Sequence, residues 1–183
     1  MNIIINSEEL VKHLANVIGV VDRKQTMPIL GHILLSGSSG EITLTATDLE
    51  VQISSKFKAN ISDDFSITLP GRKLFDILRS LGNTDVELSS EKETAVLKTE
   101  KSKFSLQQLP SNEFPLFDNT ENDQSFTIKQ KELSEIFNKT QFAMAQQDVR
   151  FYLNGLLLEI NPESLNVVGT DGHRLAKTTN TLD

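Results

Sequence analysis

The stretch 3–48 returns at 126–171 without a gap, so adding 123 to a residue number finds its counterpart. Ile5 falls on Ile128, Glu9-Leu10 on Glu132-Leu133, Leu30 on Leu153, Leu34-Leu35 on Leu157-Leu158, and Thr47-Asp48 on Thr170-Asp171. Identities are sparse, but apolar character persists where residues differ: Leu14 meets Phe137, Ile42 meets Leu165, and Leu44 meets Val167. Solenoid repeats run to roughly 20–50 residues, so an offset this long marks a duplicated domain. The 183 residues are then expected to hold one complete copy, 1–123, and the front half of a second, 124–183.

Local patterning predicts what each copy is made of. A short apolar run at 2–5 reads as a strand. Asn6 and Glu9 have capping-box spacing, and Leu10, Leu14, Val17 and Ile18 follow at helical spacing. After a polar loop and Pro28, strands are expected at 29–35, 42–45 and 51–57. The same order recurs inside the copy: strand 65–69, helix 72–81, and strands 86–88, 95–98 and 104–107. The first domain is thus β-α-β-β-β twice over, an α+β fold of antiparallel strands with both helices on one face. The stretch 109–123, with Pro110 and Pro115, reads as the interdomain connection, pinned by Phe114 and Leu116. A strand from Phe126, a helix over 131–145 and strands at 153–160, 165–169 and 174–178 then make a single half-motif. Its sheet edge would be left uncovered, so a fragment of a longer protein is expected.

Composition narrows the function classes. The chain is 38% hydrophobic and 23% charged, and no run approaches the ~18 apolar residues of a membrane span. Its start lacks the layout of a signal peptide. With no cysteine there is neither a disulfide nor a thiolate site, which fits a reducing cytoplasm. A net charge of −7 argues against a basic nucleic-acid-binding domain. Nucleic acid feels only the face turned toward it, however, so an acidic exterior is compatible with a basic inner surface.

Several residues are candidates for function. Lys12, Arg72, Lys73 and Arg79 lie on outward helix positions, with Arg72, Asp76 and Arg79 on one stripe. They are either a solvated face or a set of phosphate contacts. The loop containing Lys24 and the stretch Gln147, Arg150 and Tyr152 occupy equivalent places in the two copies. They suit phosphate, hydrogen-bond and stacking contacts, or else cap a helix and pack. Thr170-Asp171-Gly172-His173-Arg174-Leu175 is the tightest cluster. An acid–base or metal site is one reading of it. The sister stretch Thr47-Asp48-Leu49-Glu50 keeps Thr-Asp without His or Arg, which favours a structural turn in which Asp accepts backbone N–H groups. No serine-nucleophile, phosphate-loop or HExxH motif is present.

Six stretches together resemble the bacterial sliding clamp family, the beta subunit of DNA polymerase III. They are Pro28-Ile29-Leu30-Gly31, Thr47–Glu50, Arg72-Lys73-Leu74-Phe75-Asp76-Ile77, Phe104-Ser105-Leu106, Gln147–Gly155, and Thr170–Ala176. The resemblance runs through all 183 residues, and its last two stretches are the most specific. It implies a clamp fold with antiparallel sheets outside and helices inside, in a ring of two subunits with three such domains each. Duplex DNA would thread that ring. Lys24, Arg72, Lys73, Arg79, Gln147, Arg150 and Tyr152 would then face DNA, with Lys24 standing where many relatives carry Arg. Leu153, Thr170, Gly172, His173, Arg174 and Leu175 match one wall of a pocket for short linear motifs of the replicative polymerase alpha subunit, clamp loader and repair polymerases. The other wall would come from later residues. Lys73, Phe104 and Leu106 match the subunit interface of the homodimer. The resemblance implies no catalysis, cofactor, metal or membrane, and a place in the bacterial cytoplasm at the nucleoid. Two other readings stay open from the residues alone: a peptide-binding adaptor that ignores DNA, and a hydrolase using Asp171 and His173.

Overall fold

The computed structural model describes residues 2–21, 27–117 and 125–182. The chain divides into two compact units, Met1–Asn119 and Thr120–Asp183. The first contains β1 (Asn2–Asn6), α1 (Ser7–Val17), β2 (His32–Ser38), β3 (Glu41–Thr47) and β4 (Gln52–Lys58). It continues with β5 (Phe65–Pro70), α2 (Gly71–Leu81), β6 (Asp85–Glu91), β7 (Thr94–Lys98) and β8 (Lys103–Gln107). Its strands form two four-stranded antiparallel sheets, β4-β3-β2-β5 and β1-β6-β7-β8.

The two internal motifs are not side by side but interlocked. β5, which opens the second motif, pairs with β2 of the first, His32 opposite Pro70. β1, which opens the first, pairs with β6 of the second, Asn2 opposite Ser89. Each motif therefore gives its leading strand to the other's sheet. A single core results, holding Ile3, Leu10 and Leu44 from the first motif with Leu74, Leu88 and Leu106 from the second. α1 packs against α2 as well as β3 and β4, and α2 against β2 and β5.

Local chemistry sets the element ends. Asn6 caps α1 by accepting the Glu8 N–H at 3.0 Å. The reciprocal half of the expected capping box does not form, because the Glu9 carboxylate meets His13 Nε2 at 3.1 Å instead. The expected strand start at 29–31 is a 3-10 turn, Pro28–Gly31, whose leading proline has no N–H to leave unpaired. Phe114 fastens the connecting segment as predicted, buried with Ile29, Leu30 and Leu34. Leu116 does not; it is 55% exposed.

The second unit contains α3 (Gln130–Thr140), β9 (Leu157–Asn161), β10 (Ser164–Thr170) and β11 (Leu175–Thr181), with sheet order β11-β10-β9. α3, β10 and β11 begin and end 123 residues after α1, β3 and β4. Three expectations need correction. The strand predicted from Phe126 is absent, since residues 125–129 are not in a ladder. Its counterpart β1 depends on β6, and the described residues of this unit offer no equivalent strand. The helix predicted to run to residue 145 stops at Thr140, whose hydroxyl donates back to the Ile136 carbonyl at 3.0 Å. A 3-10 turn, Gln141–Ala143, then buries Ala143. The strand predicted from Leu153 begins only at Leu157, after a second 3-10 turn, Phe151–Leu153, that repeats Pro28–Gly31.

Candidate nucleic-acid and peptide interfaces

The turn between β10 and β11 is built by its own side chains. Thr170 Oγ1 accepts the Gly172 N–H at 3.1 Å, and Asp171 Oδ1 accepts those of His173 and Arg174 at 2.9 Å each. The turn between β3 and β4 repeats the pattern: Thr47 accepts from Leu49, and Asp48 from Glu50 and Val51. Thr-Asp is thus a shared scaffold, as the repeat suggested. Both turns put their third residue in the left-handed region, Leu49 at φ 79° and Gly172 at φ 89°. Glycine reaches that region without steric cost, whereas leucine is strained there.

This geometry leaves the hydrolase reading without a dyad. Asp171 directs its acceptors to backbone N–H groups and to Arg174 Nε at 2.9 Å. The backbone donors of His173, then Arg174, hold its carboxyl below the ordinary range, as an acceptor rather than an acid. The His173 ring is exposed and makes no side-chain hydrogen bond among the described residues. Those residues also include no group of three or more His, Asp or Glu side chains placed to hold a metal ion.

Beside this turn the segment 147–154 closes on itself. The Asn154 amide brackets Asp148, accepting its N–H and donating to its carbonyl, both at 2.9 Å. Asp148 takes the Arg150 guanidinium on both oxygens, Nε at 3.0 Å and a terminal nitrogen at 2.8 Å. It also accepts the Arg150 backbone N–H at 2.8 Å. The Arg150 side chain, then its backbone N–H, holds the Asp148 carboxyl down at about 2, and the same pair raises Arg150. The guanidinium reaches on to the Asp171 carbonyl at 3.2 Å. Arg150 thus brings the two predicted pocket segments together: Leu153 is buried in the first, while Gly172, His173, Arg174 and Leu175 of the second are exposed. Arg150, expected at a phosphate, connects the two turns. Gln147, at φ 57°, and Tyr152, 78% exposed, remain open to solvent beside it.

In the first unit, Lys73 and Arg79 are exposed on α2, and the Arg79 guanidinium lies over the Phe75 ring at 5.6 Å. Arg72 is half-buried; its Nε and one terminal nitrogen both donate to the Val21 carbonyl, at 3.0 and 2.9 Å. Lys24 lies outside the described residues. β8 is a sheet edge with unpaired backbone groups, the feature an added strand would use. Leu106 itself points inward and is fully buried, so of the two apolar residues on that strand only Phe104, half-buried, has side-chain surface to offer. Sequence reasoning missed Asp148 and Asn154. The available signal was an Asx residue two positions before an arginine, in a turn.

The family described as DNA polymerase III beta subunit, N-terminal domain, matches residues 1–118, and its central domain matches 127–183. The beta sliding clamp of Pseudomonas aeruginosa is 43% identical over 178 residues, covering 96% of this chain and 48% of that protein. That of Escherichia coli K12 is 39% identical, covering 96% and 49%. A crystal structure of the Pseudomonas aeruginosa subunit superimposes at TM-score 0.94 and 40% identity, across this whole chain and 50% of that one. A second, bound to griselimycin, gives 0.92 at 40% identity, again across this whole chain and 50% of that one. The chain spans about half the length of the curated relatives it matches. With both domains matched in order on an interlocked α+β fold, the chain belongs to the DNA polymerase III beta subunit family, the bacterial sliding clamps.

Proposed function

We propose that this chain supplies the first domain and the leading half of the second in a sliding clamp that encircles duplex DNA and recruits partners through the 170–175 turn. The carrying observation is the contrast between copies on one scaffold. Both build the Thr-Asp turn, but only the second continues into Gly172, His173, Arg174 and Leu175, tied through Arg150 to the segment that carries the buried Leu153. A buried leucine in the adjoining segment, an open leucine on the turn and polar groups beside it suit a short apolar motif. Such motifs on the replicative polymerase, the clamp loader and repair polymerases are the proposed partners. The protein would act at the nucleoid in the cytoplasm, without catalysing a reaction.

For DNA, Lys73, Arg79, Gln147 and Tyr152 have open side chains, and Lys24 joins them by its place in the repeat. Phosphate contacts of this kind are weak and sequence-independent, which permits sliding. Arg72 and Arg150 are tied to protein acceptors, so they would support that face rather than form it. β8 and Phe104, with Lys73, would serve subunit pairing. The test is retention of the full-length protein, loaded by its loader, on nicked circular DNA. It should persist on circles and be lost within one passage when the circle is linearised, because a ring slides off an end. Equal release from circular and linear DNA would sink the clamp reading and leave the peptide adaptor.

A further inference from the structure

The geometry points to Asp148 as a positioning residue that works through Arg150 to hold the 170–175 turn in its receiving form before a peptide arrives. The inference rests on the peptide-pocket reading above. The ladder between β9 and β10 ends at Leu157 opposite Val168, so the sheet does not fix the spacing of the 147–154 and 170–175 turns. Among the described residues, the one hydrogen bond that joins them runs from Arg150 to the Asp171 carbonyl. That bond needs the guanidinium at one angle, and Asp148 sets it by taking two guanidinium nitrogens and the backbone N–H of the same residue. A carboxylate gripping a planar fork on two edges fixes direction as well as distance. Asp148 is itself held from behind by the Asn154 amide. At the far end, Gly172 leaves the room: a Cβ there would stand 3.1 Å from an Arg150 terminal nitrogen. The sequence of restraints is Asn154, Asp148, Arg150, then the backbone of Asp171 and Gly172. The benefit is preorganisation, since a wall already in place costs an incoming peptide less ordering.

The test uses the full-length protein and griselimycin, the ligand bound to the Pseudomonas aeruginosa relative. Dissociation constants are measured for Asp148→Asn in the natural background and in Arg150→Gln. If Asp148 acts through Arg150, Asp148→Asn weakens binding roughly threefold to tenfold in the first background and less than about 1.5-fold in the second. Equal losses in the two backgrounds, or none in the first, overturn the inference while the pocket stands. A natural protein that does not bind griselimycin refutes the pocket reading itself. Asp148→Glu keeps the charge on a longer arm and replaces Asp148→Asn if that variant fails to fold. Its loss, too, must vanish on Arg150→Gln, and persistence there overturns the inference.

Discussion

Three glycines of the second unit differ in what an added methyl would meet, and replacing each by alanine separates the forces acting on them. At Gly155 nothing lies within 4 Å, and its φ is not in the left-handed region. Alanine there only stiffens the unfolded chain, a gain of about 0.4–1 kcal/mol. At Gly172, φ is 89°, where a side chain costs about 1–2 kcal/mol. Subtracting the same ~0.4–1 kcal/mol unfolded-state gain leaves a net loss near ~1 kcal/mol. At Gly169 the backbone is ordinary, but a Cβ would stand 2.5 Å from the Thr140 carbonyl oxygen at the end of α3. Backbone cannot swing aside as a side-chain tip can, so an overpacking loss of about 1–3 kcal/mol is expected. The assay is urea unfolding followed through Tyr152, the one tyrosine in a chain without tryptophan, which reports the second unit alone. With a slope of ~1–3 kcal/mol per molar urea, a 1 kcal/mol loss lowers the midpoint by about 0.3–1 M. The expected order of stability is Gly155→Ala, natural chain, Gly172→Ala, Gly169→Ala. Gly172→Ala matching Gly155→Ala would refute the backbone account, and Gly169→Ala milder than Gly172→Ala would refute the packing account.

Two further outcomes follow. Asp48, Asp148 and Asp171 all have depressed folded-state carboxyls, so their stabilisation is present above the ordinary 3.8 and is lost as pH falls below it, toward about 2 for Asp148. The urea midpoint should drop across that window, and Asp148→Asn should flatten the drop when read through Tyr152; an unchanged profile would contradict the pairing. Arg72→Lys keeps the charge but loses the fork on the Val21 carbonyl, so the first unit should lose about 1–2 kcal/mol. Hydrogen exchange of α2 reads this, and unaltered protection would make Arg72 a free surface cation.

Where one element's pattern was enough, the sequence was legible. α1 and α2 follow from leucines at helical spacing, and the offset carried α1, β3 and β4 onto α3, β10 and β11 without slippage. The Thr-Asp turn was legible for a different reason: two copies displayed which residues the scaffold requires. Long-range pairing was not. Nothing in the alternation of Ile3 and Ile5 says that they align with Leu88 and Val86 rather than with a strand of their own motif. The absent strand at 125–129 is the same lesson in reverse, since apolar residues make a strand only where a partner edge exists. Arg72 and Arg150 stood out because charge is visible in a sequence, whereas the carbonyl and the carboxylate that hold them are not. Leu106 was matched to the interface strand by resemblance, and its complete burial in the core is not visible in that match.

The exchange of leading strands also dictates a timetable for synthesis. β1 leaves the ribosome before its partner, since its ladder needs β6, which starts at Asp85, 79 residues beyond Asn6. At roughly 5–20 residues per second that interval is about 4–16 s. During it Ile3 and Ile5 have no ladder to join, while β2, β3 and β4 can already pair among themselves as a meander. The nascent domain therefore passes through a stage with an unsatisfied leading strand. The closing of β1 onto β6 is a late, non-local event that seals both motifs at once.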